Sequence, residues 1–166
     1  GLQYNEKELH KKACYCIPEL HRERVTEEIS IIGNPGCYPT SIALGLAPIL
    51  KSGMADLNSI IIDSKSGVTG AGRGLTQTSH YPECNEAFSP YKVAEHRHPP
   101  EIEQTASELA GQDVKVTFVP HLLPLNRGII STIYVTLDTQ VQDNAVYYLY
   151  QKFYEKEKFV RVLEKG

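Results

Sequence analysis

The chain has 166 residues, 41% of them hydrophobic and 22% charged, with a net charge of −3. That length is enough for one domain with a real core, and the composition is ordinary for a soluble globular protein. The charge gives no basis for a nucleic-acid or membrane partner, and no apolar stretch reaches bilayer-spanning length.

In chain order, residues 4–12 predict a short charged helix, and residues 13–20, interrupted by Pro18, a turn. Residues 28–32 read as a strand. Residues 40–50 predict a buried helix carrying Ile42, Leu44, Leu46, Ala47, Ile49 and Leu50, with Pro48 near its end and Gly53 beyond it. Ile60, Ile61 and Ile62 centre a buried strand over 57–63. A glycine-rich loop covers 66–74, a polar irregular stretch 75–90, and a short extended piece 91–95. Residues 100–110 predict a helix with proline in its first turn and Gly111 after it. Residues 114–119 and 129–137 read as strands, and 141–154 as an aromatic-rich helix. The last two strands are separated by only about nine residues, too few for a parallel crossover. The expected fold class is therefore α+β, with a mixed, largely antiparallel sheet and helices on one face.

Four cysteines do not make a disulfide framework, so reduced thiols in an intracellular protein are expected. One of them has an unusual setting. Gly33-Asn34-Pro35-Gly36-Cys37-Tyr38-Pro39-Thr40 places Cys37 between a tight turn and a helix start. Backbone N–H groups are unpaired there and the helix dipole is positive, so a thiolate is favoured. The competing reading is a buried structural cysteine.

Glu95-His96-Arg97-His98-Pro99-Pro100-Glu101 supplies two imidazoles. In an extended segment they face one side, and Pro99 biases His98 toward that conformation. A cysteine and a histidine are the minimum set for thiol catalysis, with a carboxylate such as Glu101 orienting the histidine. As a metal pair His96 and His98 lack a third ligand, and no metal is assigned.

The loop from Lys65 to Gly74 offers an anion the backbone N–H groups around Ser66 and Gly67, and the charge of Arg73. Arg73 and Gly74 stand where a P-loop has lysine and serine or threonine, which excludes nucleoside triphosphate binding. A flexible glycine loop is the alternative. Arg127, in a loop between two strands, suits a carboxylate or phosphate. Cys14 and Cys16, with His21 nearby, do not have the usual metal spacing and read as packed thiols. Cys84 has no identifiable partner.

GNPGCYPT, KSGVTGAGR, HRHPPEI and PHLLPLNRGI, in this order, resemble the N-acetyl-γ-glutamyl-phosphate reductases of arginine biosynthesis. CYCIPELHRERV upstream resembles them too, with Cys16 where that family usually has glycine. His98-Pro99-Pro100 also departs from the common pattern, which has threonine between histidine and proline. The resemblance covers nearly the whole chain. Aspartate-semialdehyde dehydrogenases usually have asparagine just before the cysteine, so Gly36 and the following Tyr38-Pro39-Thr40 favour the glutamyl-phosphate branch.

The resemblance implies a catalytic domain like that of glyceraldehyde-3-phosphate dehydrogenase. In it, Cys37 forms a thioester with N-acetyl-glutamyl 5-phosphate, and NADPH reduces the thioester to the semialdehyde. His96 is the implied acid–base partner, and His98 and Glu101 position substrate or His96. Ser66, Gly67, Arg73 and Arg127 are the implied substrate-binding residues.

Family members also carry an N-terminal Rossmann domain and a C-terminal return segment, neither of which is in the chain. Residues 1–166 are thus read as a single catalytic and dimerisation domain, expected to bind NADP(H) weakly or not at all and not to complete the reduction alone. It is expected to form a homodimer or homotetramer in the cytoplasm, or in an organelle if the source is a plant or fungus. The alternatives are a reductase of an aminoadipyl-type phosphate from lysine biosynthesis, and a non-catalytic metal-binding or interaction module.

Overall fold

The structure is a computed structural model that describes residues 6–138, 140–142 and 144–164. The chain divides into two compact units, Gly1–Gly36 and Cys37–Gly166, where the sequence reading takes 1–166 as one. Among the described residues no helix is long and apolar enough to cross a membrane.

The first unit contains α1 (Lys7–Lys11), β1 (Ala13–Tyr15), α2 (Pro18–His21) and β2 (Ile31–Gly33). β1 and β2 pair in parallel, with Tyr15 opposite Gly33. The turn expected over 13–20 is instead a strand followed by a helical turn. Pro18 opens α2 at its first position, where a missing N–H costs nothing. The Ile17 N–H donates to His21 Nδ1 at 3.2 Å, and the buried Cys16 thiol donates to the His21 carbonyl at 3.7 Å. Burial, and then Cys14, raise the Cys16 pKa above its usual value. Among the described residues no three His, Cys, Asp or Glu side chains are grouped as metal ligands.

The second unit contains α3 (Cys37–Lys51), β3 (Ile61–Ser66), α4 (Tyr81–Cys84), β4 (Ser89–Pro90), α5 (Pro99–Ala110), β5 (Thr117–Leu122), β6 (Ile129–Tyr134) and α6 (Ala145–Tyr154). Positions 4, 5 and 143, which fall in two predicted helices, lie outside the described residues. The sheet order is β4-β5-β3-β6. β3 and β5 run parallel, and the two outer pairs are antiparallel. The fold class is therefore α+β with a mixed, mostly antiparallel sheet, as expected. The short link between β5 and β6 does join antiparallel strands, but they are not neighbours, because β3 lies between them.

β3 begins and ends later than its apolar run. Ile61 is 48% exposed, whereas Ser64 and Ser66 are buried. The strand continues through polar residues because the Ser64 hydroxyl is bonded, 2.8 Å from Ser131 Oγ on β6. Alternation then defines two faces. The inner face carries Ile62, Ser64, Ser66, Phe118 and Pro120, all buried. The outer face carries Ile61, Asp63, Lys65, His121, Ile130 and Tyr134. There Asp63 pairs with Lys65, and His121 Nδ1 lies 3.1 Å from Asp63 Oδ1.

α3 packs against α5, α6 and β6. Its buried stripe is Ile42, Ala43, Leu46, Ala47, Ile49 and Leu50. A Cβ on Gly45 would lie 2.8 Å from Ile133 Cδ1, so glycine lets the helix settle onto β6. Pro48 removes the N–H that the Leu44 carbonyl would accept four residues earlier. One tyrosine of α6 fills this gap, and a second bonds the next carbonyl along. Tyr154 donates its hydroxyl to the Leu44 carbonyl, and Tyr150 donates to the Gly45 carbonyl, each at 2.6 Å. Burial pushes the Tyr150 hydroxyl up to about 12.

Candidate active site

Cys37 is the first residue of α3 and is exposed, while Cys16 and Cys84 are buried and Cys14 is intermediate. The next residue, Tyr38, turns inward and is only 2% exposed. Its hydroxyl lies 3.0 Å from the Tyr91 hydroxyl and also hydrogen-bonds the Ser66 side chain. Burial raises the Tyr38 pKa well above the ordinary tyrosine range. One turn on, the Ser41 hydroxyl donates to Ser131 Oγ at 2.9 Å, and that oxygen also meets Ser64. A chain of hydroxyls thus fixes the start of α3 onto β6 and β3.

Tyr38 forms one wall of an aromatic cluster. Its ring is edge-on to His96 at 5.6 Å, to His98 at 6.0 Å and to Phe118 at 5.3 Å. The two imidazoles are 4.7 Å apart, and the His98 backbone N–H donates to His96 Nδ1 at 3.2 Å. Burial lowers the His96 pKa to about 4, with His98, Lys92 and Arg97 adding to the effect. His96 is therefore neutral at pH 7. His98 is 7% exposed, and among the described residues its Nδ1 has no hydrogen-bond partner. Burial lowers its pKa as well, and the Glu101 charge partly offsets this. Glu101 therefore bears on His98.

The two histidines converge, but not by strand alternation. The piece expected to be extended over 91–95 is a tight turn, with Lys92 at φ 45° and Ala94 at φ 59°. His98 is helical, φ −83° and ψ −22°, despite the proline that follows. As the N-cap of α5 it accepts the Ile102 N–H at 2.9 Å, and that bond outweighs the bias of the following proline.

The glycine loop corrects a second expectation. The N–H groups of Gly67, Val68 and Thr69 donate to the carbonyls of Gly128, Leu125 and Asn126, at 2.9, 2.8 and 3.1 Å. Those amides are engaged and do not form an anion cradle. Gly67 is a packing residue, because a Cβ there would come within 2.7 Å of the Arg127 backbone nitrogen. Ser66 is buried and directed to Tyr38. Arg73 and Arg127, in contrast, are exposed. Sequence reasoning did not find Tyr91, Phe118 or Ser131. For Tyr38 there was a signal, since it follows the cysteine directly. Tyr91 sits in a stretch without periodicity.

Residues 37–166 match the family described as semialdehyde dehydrogenase, dimerisation domain. The chain belongs to this family. Among curated relatives, it is 56% identical to an N-acetyl-γ-glutamyl-phosphate reductase of Brachyspira hyodysenteriae, over 100% of the chain and 49% of that protein. It is 54% identical to the reductase of that name from Clostridium botulinum (strain Eklund 17B / Type B), over 100% of the chain and 48% of that protein. For the Moorella thermoacetica reductase the identity is 53%, over 99% of the chain and 47% of that protein. The chain thus spans about half the length of the curated relatives it matches. The solved aspartate semialdehyde dehydrogenase II of Vibrio cholerae shares the fold, with TM-score 0.64 at 14% identity over 84% of this chain and 48% of that one.

A dinucleotide cofactor asks for a strand, a glycine turn with free amides, and a helix whose N-terminus meets the pyrophosphate. The glycine loop after β3 has engaged amides and opens only a single 3₁₀ turn, Val68–Ala71. Among the described residues this loop does not fit the group.

Proposed function

We propose that this semialdehyde dehydrogenase chain is the acylating and dimerising part of an NADP-dependent N-acetyl-γ-glutamyl-phosphate reductase of arginine biosynthesis. The observation that carries the reading is an exposed Cys37 at the first position of α3, next to a Tyr38 that packs on His96. The Cys37 thiolate attacks the acyl carbonyl of N-acetyl-glutamyl 5-phosphate. The new S–C bond forms, the C–O bond to phosphate breaks, and phosphate leaves with the electron pair. The product on the protein is a thioester. N–H groups at the helix start face the oxyanion, while Arg127 and Arg73 meet the substrate's phosphate and carboxylate. His98 and Glu101 position His96 or substrate.

Reduction of the thioester needs a hydride donor, and the glycine loop among the described residues does not fit a dinucleotide, so residues 1–166 by themselves acylate without reducing. Its binding of NADP(H) is weak or nil. Two or four copies assemble, and the outer sheet face, with Ile61, Ile130 and Tyr134 exposed, supports a role as their contact. The bacterial source of the similar reductases supports the cytoplasm as the compartment, rather than an organelle.

Incubation with the acyl phosphate followed by peptide mass spectrometry tests this. The expected result is one acyl adduct, on the Cys37 peptide, absent from Cys37→Ser, and no aldehyde formed when NADPH is added. Equal labelling of Cys14, Cys16 and Cys84, or tight stoichiometric NADPH binding in calorimetry, overturns it.

A further inference from the structure

A neutral imidazole carries one proton, and a hydrogen bond at one nitrogen decides where it sits. His96 Nδ1 accepts the His98 backbone N–H at 3.2 Å. An acceptor nitrogen has no proton, so the proton of neutral His96 is on Nε2. We propose that Tyr91, together with the His98 amide, is a positioning residue that holds His96 as the Nε2–H tautomer, so that His96 serves the chemistry at Cys37 as a hydrogen-bond donor and not as the base for its thiol. This rests on the reading of His96 as the partner of Cys37.

Three rings hold the imidazole edge-on. Tyr38 is at 5.6 Å and 82°, Tyr91 at 5.7 Å and 70°, and Phe118 at 5.6 Å and 72°. Reversing the ring would put a carbon where Nδ1 now accepts the His98 amide, and the bond would be lost. Tyr91 is held in turn at both ends. Its backbone N–H donates to the Pro120 carbonyl at 3.0 Å, and its hydroxyl meets that of Tyr38 at 3.0 Å. The slot is therefore referenced to the residue after Cys37. The backbone between Tyr91 and His96 bends back through two non-glycine residues at positive φ, Lys92 and Ala94. Such residues cost on the order of 1 kcal/mol or more each and persist where the surroundings enforce them.

The consequence for the reaction is specific. With Nε2 protonated, His96 cannot accept the Cys37 proton through that atom. It donates to the carbonyl oxygen as that oxygen gains charge, and no proton moves. The thiolate must already be present when substrate arrives, and the start of α3 favours it.

Long-range proton–nitrogen correlation NMR on histidine-labelled protein at neutral pH reads the tautomer directly. His96 should show a bare Nδ1 and a protonated Nε2. Tyr91→Phe keeps the ring and should keep the tautomer, whereas Tyr91→Ala should give a mixture. An Nδ1–H form or an imidazolium in the unmodified protein overturns the proposal. A single Nε2–H form in Tyr91→Ala removes Tyr91 from the role. The Cys37 acylation rate supplies a second arm. His96→Ala should slow it about 100-fold, and His96→Gln, which retains an N–H donor at a similar reach, about tenfold. Equal loss in both variants overturns the donor role, and no loss in either overturns the pairing of His96 with Cys37 while leaving the tautomer measurement intact.

Discussion

The two parts of α3 use tyrosine hydroxyls in opposite ways. Midway along the helix, Tyr154 donates to the Leu44 carbonyl left over by Pro48, and Tyr150 donates to the neighbouring Gly45 carbonyl. At its start, Tyr38 meets two other side chains, Tyr91 and Ser66. A carbonyl is an obligatory acceptor with a fixed position, so the first arrangement is a structural requirement. Hydroxyls rotate and can exchange donor and acceptor roles, so the second adapts to what happens beside it. The same residue type anchors the fold at one place and tunes the candidate site at the other.

Tyr154→Phe tests the anchor and should have the largest effect. The Leu44 carbonyl loses its donor in a part-buried setting, which costs about 1–3 kcal/mol. Urea denaturation should show a lower midpoint with an unchanged slope. A midpoint equal to that of the parent would mean that water or another group satisfies the carbonyl.

Acid should act at the start of the helix and leave the anchor intact. His96 and His98 both have folded pKa values below the ordinary histidine value of about 6.5. Between about 4, the folded His96 value, and that ordinary value, the unfolded chain binds more protons than the folded one. Stability therefore falls as the pH drops through this window and is regained above it. The fall is smaller than the shifts alone imply, because His96 is partly solvated. Denaturation midpoints from pH 4 to pH 7 check this, and a His96→Gln chain should show a shallower dependence. A midpoint that rises on acidification contradicts the assignment.

Tyr38→Phe should have the smallest effect on stability, about 0.5–1 kcal/mol, because both its partners are hydroxyls that can rotate and one of them, Tyr91, is only half-buried and finds water. Denaturation measures the loss, and a loss as large as that of Tyr154→Phe would erase the contrast between the two parts of the helix.

Much of this was legible in the sequence. The helix over 40–50 was visible because Ile42, Leu46, Ile49 and Leu50 recur at helical spacing and Gly53 follows it. The fold class followed from element order and one short link. Cys37 stood out because a turn and a helix start leave their own residue types. What was missed lies where polar residues are buried in pairs. Ser64 and Ser66 look like the end of a strand until Ser131 and Tyr38, far away in sequence, supply their partners. The 91–95 stretch looked extended because positive φ at lysine and alanine has no sequence signature. The glycine loop looked like an anion cradle because glycine content does not reveal whether the amides are already bonded.

That loop has a further consequence. Its first three amides are bonded to the segment that enters β6, and the Leu123 N–H returns a bond to the Ser66 carbonyl at 2.9 Å. Two connections far apart in the chain are therefore stitched like adjacent strands. Neither can gain or lose a residue without throwing the other out of step. Gly67, pressed against the Asn126 and Arg127 backbone, cannot give way to a larger residue to absorb the mismatch. At this edge of the sheet, where sequence alone suggests the most freedom, the spacing of Arg127 from the start of β6 is set by the length of another loop.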